Sequence, residues 1–375
     1  MSDADPDNGD KKSSEEGFGD DPATKAAFLC YAIGIPEQDI PPDESDGARS
    51  LALWFLSTEW ARDAEVKAAF IRAAIGAPEE QKHHAGDAEG TVAAWRAAIC
   101  KLDRDLGVTG IWPDESSLAR CSAVSGLGGW GGDADAKAAL IRVLMGVPER
   151  EIPPDESSDV RECAVESLRT WAGDAEVRDA LLRVAIGVPE QGIPPDESEA
   201  MRSSAMEGLV WHWAGDLNVK SAFVRAVIGV QELGIAPDKS DFSRLHALEG
   251  LRSKWMGDGE AKSVFVRAAI GVQSLGIAPE RYSDARIEAI KALREGWAGD
   301  VEVGTALLRV AIGAPEQGIA PASFERVRWC AVKSLAEGWP RDVGIRRAMG
   351  KAASNTQIGA DARSAANQFI GKTRP

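Results

Sequence analysis

The sequence predicts an all-α fold, namely an α-solenoid of about nine helix-pair repeats, each 42 residues long. A Trp recurs every 41 or 42 residues over most of the chain, apolar residues recur at steps of three and four between these Trp positions, and no segment alternates apolar and polar residues. A unit of this length is too small to bury its own apolar face, so its copies are expected to stack. The recurrent aromatic positions are Phe18, Trp60, Trp130, Trp171, Trp213, Trp255, Trp297 and Trp339.

The first helix of the unit, called helix A, is clearest after Trp171. Asp174 is the expected N-cap, because its carboxylate can accept from the free amides of a first turn. Val177, Leu181 and Val184 then form an apolar stripe at helical spacing. Gly187 is expected to end the helix, since glycine adopts the left-handed C-cap conformation without a Cβ clash.

The second helix, called helix B, follows the loop VPEQGIPPDES. Prolines in this loop cannot lie inside a helix but favour the start of one. Helix B is predicted from about Ser198 to Trp213. Its apolar face is formed by residues at steps of four, namely Met201, Ala205, Leu209 and Trp213.

One spacing is irregular, because Trp60 and Trp130 lie 70 residues apart. The chain after Asp105 passes directly to LGVTGIWPDES, which resembles the loop before helix B. The third repeat is therefore predicted to lack its helix A. The expected organisation is an acidic disordered tail (1–17), three N-terminal repeats with the third truncated (18–129), and regular repeats with a degenerate C-terminal cap (130–375).

The segment SSDVRECAVESLRTWAGDAEVRDALLRVA, from Ser157 to Ala185, resembles the HEAT-like repeat, in particular the bacterial form related to phycobilin-lyase HEAT repeats. The resemblance is carried by the V-R-x-x-A-x-x-x-L helix and the G-D turn that follows it, and it covers about residues 18–350. It implies the stacked architecture and no particular activity. The longer A-to-B loop of this chain departs from the usual repeat and adds acidic residues to one edge.

An Arg recurs at one position of helix B, six residues after an acidic loop position in most repeats. The resemblance implies that this column forms an Asp–Arg ladder between repeats, through charge-assisted hydrogen bonds; a row of anion sites is the alternative. The column consists of Arg49, Arg120, Arg161, Arg202, Arg244, Arg286 and Arg328.

The predicted function is non-catalytic binding of a protein or peptide partner along a superhelical groove lined by helix B. Solvent positions of this helix vary between repeats, as expected of a surface that encodes specificity. The groove candidates are Glu166, Arg169, Glu207, Val210, Glu249, Arg252, Lys291, Arg294 and Lys333. Trp residues outside the recurrent column are further contact candidates where they are exposed: Trp54, Trp95, Trp112, Trp211 and Trp329.

Composition restricts the partners. Acidic residues outnumber basic ones 59 to 43, giving a net charge of −16, which disfavours nucleic acid and favours a partner with a basic surface. No apolar run is long enough to span a membrane, and the five cysteines form no CxxC pair, so a cytoplasmic protein is expected.

Catalytic and metal-binding motifs are weak. The four histidines show no HExxH spacing, and the GxGxxG at Gly126, Gly128 and Gly131 follows a predicted helix where a dinucleotide site needs a strand. No catalytic residue, metal or cofactor is therefore predicted. A HEAT-like lyase or chromophore-handling subunit, and an immunity or inhibitory module with one tight partner, remain the alternatives.

Overall fold

The structure, a computed structural model, describes residues 22–33, 45–75, 116–146, 154–188, 194–229, 238–270, 283–312, 322–354 and 360–372. Within these residues the chain is helical and contains no β-strand. It divides into two compact units, Met1–Val143 and Leu144–Pro375. None of the described helices is both long and apolar enough to cross a membrane.

The first unit contains four helices and most of a fifth. Their bounds are α1 Pro22–Ile33, α2 Asp46–Glu59, α3 Ala64–Ile75, α4 Ser117–Leu127 and α5 Ala134–Met145, with a 3-10 turn at Gly128–Trp130 after α4.

The second unit continues with α6 Ser158–Leu168, a 3-10 turn Arg169–Trp171, α7 Ala175–Ile186, α8 Glu199–Trp213, α9 Leu217–Ile228, α10 Asp241–Lys254, α11 Gly259–Ile270, α12 Ser283–Trp297, α13 Val301–Ile312, α14 Glu325–Gly338, α15 Val343–Ala353 and α16 Ala360–Lys372. In the repeat pattern, helix A corresponds to α7, α9, α11, α13 and α15, and helix B to α6, α8, α10, α12, α14 and α16.

Helices α7 and α8 confirm the sequence-based account of one unit. The Asp174 side chain accepts from the Glu176 and Val177 amides at the start of α7. Gly187 ends α7 with a φ of 65°, and its amide donates to the Arg183 carbonyl over 2.8 Å. The predicted stripes of both helices are buried, each residue less than 10% exposed: Val177, Leu181, Val184, Met201, Ala205, Leu209 and Trp213.

Packing in the second unit follows two rules. Each helix A contacts the helix B that follows it, from α7·α8 to α15·α16. Successive helices of one type also contact each other, helix A through α7, α9, α11, α13 and α15, and helix B through α6, α8, α10, α12, α14 and α16. This packing of consecutive helices is consistent with an α-solenoid.

The first unit contains α4, the helix B that the Trp spacing predicts to follow a missing helix A. Helix α4 packs against both α3 and α2, as a helix B packs against its own helix A and the preceding helix B. An added Cβ at Gly126 of α4 would lie 2.1 Å from the Phe70 ring of α3, and one at Gly250 of α10 would lie 2.4 Å from the Phe223 ring of α9. The contact between α3 and α4 thus has the same form as the one in the regular pair α9 and α10.

The irregular spacing from Trp60 to Trp130 includes residues 76–115, which lie outside the described residues. Two other predictions also concern residues outside the described ranges: the acidic tail 1–17, and the acidic edge in so far as it includes masked A-to-B loop residues such as Glu190.

Candidate partner-binding surface

The groove candidates lie on helix B or on the turn that extends it. On α6, α8, α10, α12 and α14, a charged side chain follows the recurrent Arg by five residues. We call these side chains the B row: Glu166, Glu207, Glu249, Lys291 and Lys333. Each B-row side chain is between about one-third and one-half exposed. Val210 is half-buried beside Glu207, and Arg169, Arg252 and Arg294 keep between 24% and 34% of their side chains exposed.

The acidic members of the B row lie on three successive B helices, and one of them contacts a large exposed indole. Arg169 lies 2.9 Å from Glu166 and 3.1 Å from Glu207, so it bridges α6 and α8. Trp211, 69% exposed, donates from Nε1 to Glu207 Oε1 over 3.4 Å. Glu249 lies 3.1 Å from His246 on α10. This part of the surface combines three carboxylates with one solvent-exposed aromatic ring.

A chain of ion pairs links α10, α12 and α14 beside the B row. Arg252 Nε donates to Glu295 over 2.8 Å, and Arg252 also contacts Glu288. Arg294 donates to Glu295 over 3.0 Å and to Glu337 over 2.6 Å. Burial raises the pKa of Glu295, but hydrogen bonds and charge from Arg252 and Arg294 outweigh it and hold that pKa below its ordinary value. These arginines therefore fasten neighbouring helices.

At the end of the B row that carries Lys291 and Lys333, a cavity of about 290 Å³ lies between α12 and α14. Four cations line it, together with one indole and small or apolar side chains: Ile287, Lys291, Arg294, Arg326, Trp329, Cys330, Lys333 and Ser334. Trp329 is 42% exposed, and the Lys333 ammonium lies 5.3 Å from its ring centroid. The sequence indicated Trp329 as a contact candidate but gave no reason to group it with Arg326 or Ile287.

The Cys330 thiol at this cavity is nearly buried. Burial raises its pKa, while the positive charges of Lys291, Arg294 and Lys333 act in the opposite direction. The net shift is upward, so the thiol is protonated and poorly nucleophilic at neutral pH.

Of the remaining off-column Trp residues, Trp54 is 54% exposed on α2 of the first unit, where it packs edge-on against Phe55. Trp95 and Trp112 lie outside the described residues.

Two members of the Arg column link neighbouring helix pairs. Arg161 Nη1 donates to Asp196 Oδ2, which belongs to the following loop. Arg202 Nε donates to both oxygens of Asp238, at 3.2 and 3.0 Å, and its Nη1 donates to the Asp196 carbonyl over 2.7 Å. Arg202 and Asp238 are both almost fully buried, so they are not accessible as an anion site.

The other members of the column also bind nearby groups. Arg49 contacts Asp46, Arg244 contacts Asp241 and the Asp238 carbonyl, Arg286 donates to the Ala269 carbonyl, and Arg328 contacts the Ala322 and Ser323 carbonyls. Arg120 is 5% exposed.

A second set of ion pairs, which the sequence reasoning missed, joins successive A helices. A cation four residues after one N-cap Asp pairs with the N-cap Asp of the next helix A. The pairs are Lys25–Asp63 at 2.9 Å, Lys67–Asp133 at 2.6 Å, Arg178–Asp216 at 2.8 Å, Lys220–Asp258 at 2.9 Å and Lys262–Asp300 at 2.8 Å. The signal was present as a Lys or Arg that recurs in the second turn of helix A. We call this set the A-helix ladder.

Neither a metal centre nor a known family is identified. In the part of the chain that the structure describes, His, Cys, Asp and Glu side chains nowhere form a group of three that could hold a metal ion. No protein-family model matches the sequence, and no curated protein matches it.

Proposed function

We propose that the chain is a non-catalytic, HEAT-like α-solenoid that binds a protein or peptide partner through the exposed face of its B helices. The partner presents a basic segment to the acidic half of the B row. The observation that carries this proposal is the exposure of Trp211 next to Glu207, the middle one of three carboxylates at equivalent positions of successive B helices. An exposed Trp beside charged side chains is a candidate contact residue, because Trp is enriched at energetically dominant interface positions.

In the proposed architecture α3 and α4 form one helix pair, so the irregular spacing adds no repeat of its own. Pairing α3 with α4 makes residues 76–115 the connection between helix A and helix B of one repeat, longer than the regular A-to-B loop. The 66-residue separation of Lys67 and Asp133 supports this assignment, because the same ladder contact spans 38 residues in the regular repeats.

The arginines next to the B row play a supporting part. Since Arg169, Arg252 and Arg294 join neighbouring helices, they hold the surface in a fixed shape, and a rigid surface loses less entropy on binding. We further place the protein in the cytoplasm, a proposal supported by the free thiols Cys30, Cys121, Cys163 and Cys330.

An affinity experiment tests the surface. The tagged full-length protein is immobilised and exposed to lysate of the source cell at moderate salt, and the retained proteins are compared with those retained by the variant E166K/E207K/E249K. We expect wild type to retain a partner that this variant loses, because reversal turns attraction for a basic segment into repulsion.

A matched control separates the surface from net charge. The variant E156K/E197K/E199K changes the charge by the same amount at exposed positions in the turns before B helices and at the start of α8, and it should retain the partner. Circular dichroism verifies that both variants fold. Equal retention by all three proteins would contradict the proposal, and co-purification of a small chromophore would favour the lyase-like alternative.

A further inference from the structure

The B row changes sign along the second unit. Its members on α6, α8 and α10 are Glu166, Glu207 and Glu249, whereas the equivalent positions on α12 and α14 carry Lys291 and Lys333. A partner that follows the row therefore meets carboxylates over three helices and ammonium groups over the next two. Complementary charge on the partner must change sign in the same order.

The basic end is concave. Lys291, Arg326, Lys333 and Trp329 contribute to the cavity of about 290 Å³ between α12 and α14. This volume accommodates an amino-acid side chain with its carboxylate but no large ligand. The indole provides an apolar wall, and four cationic side chains also line the cavity.

The two lysines of the cavity retain donors for a ligand. Lys291 Nζ lies 3.6 Å from Glu288, and Lys333 Nζ lies 4.0 Å from Glu337. Both distances exceed a hydrogen bond, and within the described part of the chain neither ammonium group donates one. A carboxylate in the cavity can therefore accept from both lysines without displacing an existing hydrogen bond.

We propose that the cavity between α12 and α14 is a carboxylate-binding subsite, which binds an Asp or Glu side chain of the same partner whose basic segment covers Glu166, Glu207 and Glu249. This inference rests on the proposed function and adds the charge order of the partner. Trp329 packs against the methylene groups of the bound side chain, while Lys291 and Lys333 pair with its carboxylate.

The spacing of the two charges follows from the helix packing. From Glu207 on α8 to the cavity there are two to three steps between neighbouring B helices, at about 9 Å a step, or roughly 20–25 Å. An extended peptide covers this distance with about six to eight residues. The partner is thus a segment in which basic residues are separated from an acidic residue by that interval.

Fluorescence anisotropy with three labelled peptides tests this arrangement on the full-length protein. The first probe is a peptide of four lysines, the second adds two glutamates after a seven-residue Gly-Ser spacer, and the third uses a two-residue spacer. We expect the seven-residue probe to bind wild type at least tenfold more tightly than the four-lysine probe. The two-residue probe should gain nothing, because its glutamates cannot reach the cavity.

Two variants identify the subsite. K291Q/K333Q should remove the tenfold gain and leave binding of the four-lysine probe unchanged or slightly stronger. The control K254Q/K351Q removes two exposed lysines away from the cavity and should behave as wild type.

The outcomes distinguish the two proposals. If the seven-residue probe gains nothing, or its gain survives in K291Q/K333Q, the subsite is overturned, while four-lysine binding that E166K/E207K/E249K abolishes still supports the acidic surface. If both glutamate probes bind equally well, and only with Lys291 and Lys333 present, while the four-lysine probe does not bind, the subsite stands and the acidic surface fails. Binding of none of the probes overturns both.

Discussion

At the scale of the residue, Gly250 shows how closely helix A and helix B pack. A Cβ at this position would lie 2.4 Å from the Phe223 ring, and that ring is fully buried, so the added methyl group forces the ring to move. Overpacking of this kind costs about 1–3 kcal/mol, and the better helix propensity of Ala returns about 1 kcal/mol. We expect G250A to lower the midpoint of thermal unfolding, measured by circular dichroism.

Gly350 provides the matched control for that substitution. It also lies inside a helix, but an added Cβ would have no neighbour within 4 Å. G350A should therefore raise the free energy of unfolding by roughly 0.5–1 kcal/mol through backbone entropy alone. A G250A protein as stable as G350A would show that the Phe223 ring relaxes without cost.

Side chains of the candidate surface were predictable only in part. The position of Glu207 on the exposed face of helix B follows from the helical period, which places it opposite the buried stripe. Its pairing with Arg169 does not, because the two residues lie 38 positions apart on different helices and meet only through the offset between those helices. The grouping of Arg326 with Trp329 and Lys291 depends on the same offset.

At the scale of the element, the Asp before each helix A has two roles. Asp216 Oδ1 accepts from the Asn218 and Val219 amides, while Oδ2 accepts from Arg178 of the preceding helix A. Loss of an N-cap costs about 0.5–2 kcal/mol, whereas a partly exposed ion pair contributes about 0–1 kcal/mol. The cap should therefore dominate the contribution of Asp216 to the stability of α9.

Two substitutions separate these roles. D216A removes cap and ion pair, and we expect faster hydrogen exchange of the α9 amides together with a lower unfolding midpoint. D216N keeps a capping oxygen and loses only the charge, so its effect should be the smaller one. If both variants lose equal stability, the link to Arg178 outweighs the cap.

Caps and periodicity predicted the helices themselves. They did not determine which helices pair near the irregular Trp spacing. A Trp spacing of 70 where 42 is usual fits either a lost helix or an inserted segment. Local sequence cannot choose, because the loop before Ser116 resembles other A-to-B loops in both cases. The proposed pairing rests on long-range packing, in which Phe70 of α3 lies against Gly126 of α4 and edge-on to Trp130 at 5.4 Å.

At the scale of the whole molecule, net charge describes the surface incompletely. The net charge of −16 predicts a partner with a basic surface, but it is only a total over the whole chain. It conceals the local reversal at Lys291, Arg326 and Lys333, which composition cannot reveal because these residues are dispersed through the sequence. Repetition brings them together, since equivalent positions of successive helices lie side by side.

The A-helix ladder gives the molecule a defined dependence on pH. Hydrogen bonds from Lys262 and the Val303 amide lower the pKa of Asp300, and those to Asp300 and Glu302 raise the pKa of Lys262. A lowered carboxyl pKa contributes stability that is complete above the unfolded value of about 3.9 and is lost as the pH falls through the folded pKa. The raised lysine pKa contributes below about 10.4 and is lost as the pH rises through its folded value.

The variant K262M isolates this contribution from the general effect of acid on a highly charged protein. We expect wild type to unfold at a higher temperature than K262M at pH 7, and the difference to shrink towards zero as the pH falls from about 4 to 2.5, because protonated Asp300 no longer pairs with a cation. K351M, which alters an exposed lysine outside the ladder, should match wild type throughout. A difference between wild type and K262M that stays constant with pH would mean that Lys262 stabilises the stack through its methylene chain, and that the ladder acts by packing more than by charge.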